Sequence, residues 1–129
     1  MKGLIGIISV WVLLSCNANT DPMPTLQGTY VGNFQRDNNR THQVELTFTG
    51  NRYSGKVAPS ERVNYDATAP VICRGSFVID QQTIDFQDEC VYTANFDWTL
   101  ILSQRWTFSI NNNLLFLSRD KDRYVLTKK

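Results

Sequence analysis

The stretch VICRGSFVIDQQTIDFQDEC, residues 71–90, carries the pattern that decides the fold of this chain. Apolar and polar residues alternate on both sides of Gln81-Gln82, which is typical of two half-buried strands joined by a tight turn. Centring a hairpin on these glutamines pairs apolar residues across the strands, Ile79 with Ile84 and Phe77 with Phe86. This register is specific, because a slip by one residue would turn every side chain to the opposite face.

The same register places Cys73 opposite Cys90. Counted outward from the turn, the two cysteines form a non-hydrogen-bonded pair, in which the Cα atoms lie ~4.5 Å apart. That separation is within the span of a disulfide. A bond here would close a loop of about 15 residues and contribute roughly 3 kcal/mol in the chain-entropy model. The sequence therefore predicts a Cys73–Cys90 disulfide at the base of the hairpin.

The alternation continues outward from this hairpin, beginning at Gly28. Gly50-Asn51 predicts a second tight hairpin. Its paired apolar face consists of Phe48 with Tyr53, Leu46 with Gly55, and Val44 with Val57. The sequence of residues 58–70 lacks a regular pattern and is interpreted as a long loop, with a short helical turn or a strand over residues 62–65 as alternatives. Residues 92–102 are interpreted as another strand, with Phe96, Trp98, Leu100 and Leu102 on one face.

The whole pattern predicts an all-β fold of eight or nine short strands, joined mostly by tight turns. The expected architecture is an antiparallel up-and-down meander that closes into a small barrel or a flattened, barrel-like sandwich. Closure is favoured because an open meander of this length would leave two unpaired edge strands.

The amino terminus has the features of an export signal. Lys2 precedes an apolar run from Leu4 to Leu14. A run of about ten residues is too short to span the membrane and fits a secretory signal. Its end, Leu13-Leu14-Ser15-Cys16, resembles a bacterial lipobox. The resemblance implies that residues 1–15 are removed and that Cys16, the first residue of the mature protein, carries a covalently attached lipid anchor. An ordinary cleavable signal and an uncleaved anchor helix are the alternatives.

The balance of charged residues argues against two kinds of interaction. The chain has 13 basic and 12 acidic residues, and only Lys2 precedes Cys16, so 12 of each sign remain after cleavage. This balance argues against a nucleic-acid partner and against a polybasic membrane patch. Residues 16–27, with two prolines, are interpreted as the lipidated cysteine and a flexible tether, and residues 28–129 as the barrel domain.

Two short segments resemble a known family. Residues 26–32, read as L-x-G-x-[WY]-x-G, and the closing 115–117 and 124–126 strands look like small lipocalin-like (calycin) barrel lipoproteins of Bacteroidetes-type bacteria. The resemblance implies a membrane-anchored protein of the bacterial cell envelope, at the outer membrane. Tyr30 stands where lipocalins place tryptophan, and the domain is shorter than a typical lipocalin. Both differences argue against a roomy cavity.

The candidate ligand-binding residues are large side chains on the predicted inward faces, together with one carboxylate at the expected barrel mouth. They are Tyr30, Phe34, Phe48, Tyr53, Phe77, Phe86, Trp106 and Asp88. An eight-stranded barrel is just wide enough to be filled by side chains or to hold one small ligand. So many rings favour filling, whereas Gly32, Gly55 and Gly75 on the same faces leave space or mark strand bends.

Catalysis and metal binding find little support in the sequence. His42 is the one histidine, and its place beside a turn indicates an exposed or capping role. Asp120 and Asp122 fall in a turn, where aspartate is common. With Cys73 and Cys90 paired, the cysteines offer no metal site. We therefore expect a non-enzymatic protein without a metal or other cofactor.

Two functional hypotheses remain open. In the first, the protein is an anchored binding module that takes a small apolar or amphipathic ligand in the barrel mouth, with the 58–70 loop as its rim. In the second, the core is filled and the loops bind an envelope protein or inhibit one. An internal cavity of ~300 Å³ or more would favour the first.

Overall fold

The computed structural model describes residues 25–58, 67–93 and 95–129. Eight strands follow one another as a meander, with one short 3₁₀ helix at Trp98–Leu100. The strands are β1 (Gly28–Arg36), β2 (His42–Thr49), β3 (Arg52–Val57), β4 (Arg74–Asp80), β5 (Thr83–Asp88), β6 (Gln104–Asn111), β7 (Leu114–Arg119) and β8 (Asp122–Lys128). Among the described residues, no helix is long and apolar enough to cross a membrane.

All eight strands pair with their sequence neighbours, and β1 also pairs with β8, so the sheet closes into an antiparallel barrel. The prediction of an all-β meander closing into a barrel is confirmed, and the architecture is consistent with a lipocalin-like fold. Closure gives every strand two partners and leaves no edge strand unpaired.

The two predicted hairpin registers are confirmed. Ile79 lies opposite Ile84 and Phe77 opposite Phe86 in the β4–β5 pair. In the β2–β3 pair, Phe48 lies opposite Tyr53 and Val44 opposite Val57. The Cys73–Cys90 disulfide is also present, with its Cα atoms 6.4 Å apart. This separation exceeds the expected ~4.5 Å because the regular ladder ends at the bond from Glu89 N–H to the Arg74 carbonyl.

The predicted strand over residues 92–102 is wrong. The described residues of this part form irregular structure and the 3₁₀ helix, and their one strand-like contact is a parallel bridge between Val71 and Ile101. Leu100 and Leu102 are buried as predicted, but Trp98 is 58% exposed. Residues 71–73 likewise precede β4 instead of extending it, because the chain turns there to bridge to Ile101.

The two ends of the barrel differ. The turn end carries the tight turns 50–51, 81–82 and 112–113 and the amino-terminal segment. The loop end carries the connections 37–41, 58–73, 89–103 and 120–121. Leu26, assigned above to the tether, is 1% exposed within the core. Gln27 donates to the Gly50 carbonyl and accepts from the Gly50 N–H, each at 2.9 Å. The packed domain therefore includes Leu26 and Gln27.

Candidate functional site

The predicted aromatic residues do come together inside the barrel. Tyr30, Phe34, Phe48, Tyr53, Phe77, Phe86 and Trp106 are each between 0 and 8% exposed. Their rings meet one another with centroids about 5 to 6 Å apart, as in the Phe48–Phe77 pair at 5.3 Å and the Tyr53–Phe86 pair at 4.9 Å. Such edge-to-face packing is a stabilising arrangement of aromatic cores. The rings thus pack against one another or, for Phe34 and Trp106, against Tyr124.

The inward-facing glycines do not leave space. A Cβ atom on Gly75 would lie 1.9 Å from the Gln87 carbonyl oxygen, and one on Gly32 would lie 2.1 Å from the Val125 oxygen. Neighbouring backbone approaches both positions too closely for a side chain. At Gly55 the space is taken by the Ile72 and Leu46 side chains. The glycines permit close packing of strands and side chains.

Asp88, the predicted mouth residue, lies half-buried beside the disulfide. Its Oδ1 accepts a bond from the Cys90 N–H at 3.3 Å. Burial raises the pKa of the neighbouring Tyr92, and Asp88 adds to that shift. The potential ligand atoms of Cys73, Asp88 and Cys90 lie within 4.8 Å of one another. Both sulfur atoms are in the disulfide, and metal coordination would need thiolates.

The expectation for His42 is wrong, because its side chain is fully buried. His42 begins β2 opposite Phe34, and its Nε2 lies 3.1 Å from the Thr68 hydroxyl. It shares the inward face of Val44 and Leu46 two and four residues further along. Continuing the alternation of inward-facing residues two positions back from Val44 would have placed His42 on the inward face.

Asp122 also differs from its expected place in a turn. It begins β8, is 4% exposed, and receives two bonds of 2.6 Å from the Nε and an Nη of Arg36. Arg36 is itself 9% exposed and lies directly opposite Asp122 in the β1–β8 pair. The hydrogen bonds that Arg36 donates to Asp122 raise the pKa of Arg36. This bidentate pair is the polar floor of the loop end.

Arg36 also reaches the connection 89–103. One Nη donates to Asp97 at 2.8 Å and the other to the Thr99 hydroxyl at 3.0 Å. Asp97 caps the 3₁₀ helix by accepting from the Thr99 N–H at 3.0 Å. Hydrogen bonds from Thr99, and then the charge of Arg36, hold the pKa of Asp97 below its usual range. The helix is thus fastened to the barrel interior by a buried arginine.

A second arginine fastens the end of the same connection. Arg119 donates to the carbonyls of Ser103 at 2.5 Å and Thr99 at 2.9 Å. Its guanidinium lies 4.3 Å above the ring of Trp106, which itself donates to the Ser103 carbonyl at 2.9 Å. A cation above an indole ring is attracted by the negative ring face. Tyr53 adds a bond to the Leu102 carbonyl at 3.1 Å.

The start of the connection is fixed by covalent and ionic contacts. Cys90 is bound to Cys73, and Arg52 makes a bidentate pair with Glu89 at 2.5 and 2.6 Å. The Arg52 pair also holds the pKa of Glu89 below its usual range. Both ends of this long connection are therefore held on the barrel.

Between these fastenings lies a group of apolar side chains that we call the aromatic surface: Val91, Tyr92, Phe96 and Trp98. Val91 is 90% and Trp98 58% exposed. The Phe96 and Trp98 rings are parallel at 5.7 Å, and the edge of Tyr92 contacts both. The sequence interpretation missed this surface, because the alternation of Phe96, Trp98 and Leu100 is the same as that of a strand.

Comparison with protein-family models, with curated proteins and with solved structures gave no match to this chain. The predicted signal peptide (1–15), the lipidation of Cys16 and most of the tether lie outside the described residues. Most of residues 58–70, predicted to form a long loop, lie outside them as well.

Proposed function

We propose that this protein is a non-enzymatic binding module of the bacterial cell envelope that presents its loop end to an envelope component. The observation that carries the proposal is the exposure of Trp98 and Val91 on a connection held at both ends. Exposed aromatic residues supply large contact areas, and tryptophan and tyrosine are enriched among the residues that dominate binding energy.

The fastenings make this surface suitable for binding. Four contacts hold the connection on the barrel: those of Arg36 and Arg119, the disulfide, and the Arg52–Glu89 pair. A surface ordered before binding pays less conformational entropy when the partner arrives. Exposed apolar side chains of this kind lower the solubility of a protein, and a role in binding accounts for their presence on the surface. The filled barrel then serves as a rigid scaffold.

The lipid anchor remains part of the proposal and is supported by the Leu13-Leu14-Ser15-Cys16 sequence. The chain enters the barrel at the turn end, where Gln27 contacts Gly50. A tether from Cys16 would therefore hold the turn end towards the membrane and direct the loop end away from it. The resemblance to lipocalin-like lipoproteins of Bacteroidetes-type bacteria supports an outer-membrane location. Intact-mass analysis of membrane-extracted protein is expected to show residues 1–15 absent and Cys16 lipidated.

The hypothesis of a small apolar ligand inside the barrel stays a prediction. The aromatic side chains on which it rested contact one another at the core, as in the Phe34–Tyr124 pair at 4.8 Å. The absence of enzymatic activity likewise stays a prediction. It is supported by the full burial of His42, the one histidine of the sequence, on the inward face of β2.

Photocrosslinking in cells tests the proposal. A benzophenone amino acid replaces Val91 in one full-length variant and Val78 in a control, since Val91 is 90% exposed on the aromatic surface and Val78 is 67% exposed on β4. Trp98 stays in place in both variants. Benzophenone inserts into C–H bonds and so captures partners of any class. We expect a discrete adduct from position 91 and none from position 78. No adduct from position 91, or the same adducts from both positions, would contradict the proposal.

A further inference from the structure

An open groove runs beside the aromatic surface at the loop end. It has a volume of about 400 Å³, within the ~300–1,000 Å³ of typical ligand sites. Its floor is the Arg36–Asp122 pair, whose groups are already hydrogen-bonded to each other. Its walls include Trp98, Gln104, Arg119 and Asp120.

Trp98 provides one apolar wall of the groove. Phe96 lies parallel to one face of the indole, which leaves the opposite face and the ring edges to account for the 58% exposure. The face of an indole carries partial negative charge and attracts groups with partial positive charge. The C–H groups on the flat face of a pyranose ring are such groups.

Two polar side chains of the groove are free of hydrogen-bond partners among the described residues. Gln104 and Asp120 line the groove and make no side-chain hydrogen bond within the described part of the chain. Both adopt left-handed backbone conformations, with φ of 64° and 52°. Gln104 does so outside the tight hairpin turns, where a positive φ is uncommon for a glutamine. Strained backbone of this kind concentrates at functional positions.

The polar groups of the groove suit a neutral ligand with many hydroxyl groups. Gln104 offers two N–H donors and one acceptor, and the Asp120 carboxylate accepts only. A sugar hydroxyl both donates and accepts and can therefore satisfy either side chain. Among the described residues, three cations, Arg36, Arg119 and Lys121, and two anions, Asp120 and Asp122, line the groove. Asp97, beside the groove, pairs with Arg36 and brings these charges into balance.

From these observations we propose that the groove binds a neutral saccharide, with a pyranose ring stacked on Trp98 and its hydroxyl groups bonded to Gln104 and Asp120. The assignment rests on the proposed function and names its partner class. A polyanionic chain would find no net positive charge. A peptide would need apolar pockets for its side chains, and Trp98 is the one large apolar side chain among the described residues that line this groove.

The test uses the full-length chain in a polyoxyethylene detergent, because detergents with sugar head groups would compete. Maltose, cellobiose, lactose and diacetylchitobiose are titrated and followed by ligand-observed saturation-transfer NMR. We expect saturable binding of at least one of these sugars. Trp98→Ala should weaken it by about tenfold, the scale of losing one stacking platform. Trp98→Phe should retain most of the affinity.

Two further variants test the polar contacts. Gln104→Gly and Asp120→Gly remove the side chains while glycine accepts the positive φ of each site. Each should weaken binding several-fold, whereas Val78→Ala, on the wall of β4, should leave it unchanged. The inference is wrong if none of the four sugars binds, or if binding survives Trp98→Ala undiminished. Binding of a proline-rich peptide or a heparin fragment in place of the sugars would also overturn it.

The two proposals fail separately. A crosslinked adduct from position 91 together with no sugar binding would leave the proposed function standing and remove the saccharide. Absence of both would remove the two together.

Discussion

Replacing Arg36 by methionine should destabilise the barrel by leaving Asp122 buried without its partner. The Arg36 and Asp122 side chains are 11% and 5% exposed and share two bonds. Breaking a buried pair by removing one partner costs ~3–5 kcal/mol. We expect about 3 kcal/mol, at the lower end of that range, because the pair lies at the barrel end and not in the middle of the core. Methionine retains most of the apolar volume of the arginine stem.

The assay is urea unfolding of the full-length chain in detergent, followed by the fluorescence of tryptophan. Arg105→Met is the matched control, since Arg105 pairs with Asp85 on the exposed barrel wall at 3.2 Å. Such a surface pair contributes at most about 1 kcal/mol. The double variant Arg36→Met/Asp122→Asn should recover more than half of the Arg36→Met loss, because no buried charge is left unpaired.

Two results would refute this reasoning. One is an Arg36→Met variant no less stable than Arg105→Met, which would mean that Asp122 finds solvent or another partner. The other is a double variant as unstable as the sum of its two single changes, since two residues that interact directly should not be additive.

Two further predictions concern the disulfide and the tyrosines. In the variant Cys73→Ser/Cys90→Ser, the free energy of unfolding should fall by ~2–5 kcal/mol. Hydrogen exchange in residues 89–103 should become faster. Unchanged exchange there would show that the disulfide does not hold the connection. Burial raises the pKa of Tyr30, Tyr53 and Tyr124 in the folded protein. Their contribution to stability is therefore complete below the unfolded value of about 10 and is lost as pH rises towards the folded values. The phenolate absorbance of these three tyrosines should then rise together with unfolding, and their ionisation with the fold intact would contradict the burial.

The sequence predicted the barrel because its information is local. Gln81-Gln82 and Gly50-Asn51 set two hairpin registers within a few residues of each turn, and alternation then assigns the inward faces. The same alternation, extended by two residues towards the loop end of a strand, accounts for the buried polar residues that were missed. Arg36 continues the face of Phe34, and Asp122 continues that of Tyr124.

The connection 89–103 was not predictable in this way. Its conformation depends on contacts with residues distant in sequence, with Arg36 lying 61 residues from Asp97. Local alternation in Phe96, Trp98 and Leu100 favoured a strand, whereas the tertiary contacts hold a 3₁₀ helix. The candidate site lies mostly on this segment, so the sequence pointed to the core aromatic residues and not to the exposed ones.

The pairing of β1 with β8 has a consequence for how the chain can be rearranged. Both described ends of the domain leave from the turn end, and the Lys129 N–H donates to the Thr29 carbonyl at 2.8 Å. Joined termini and a new opening at Gln81-Gln82 would preserve all eight strand pairings, as circular permutants do when cut at exposed turns. We expect such a permutant to fold into the same barrel. It would attach any anchor at β5 and leave the loop end in place, so the position of the tether and the binding surface can be varied independently.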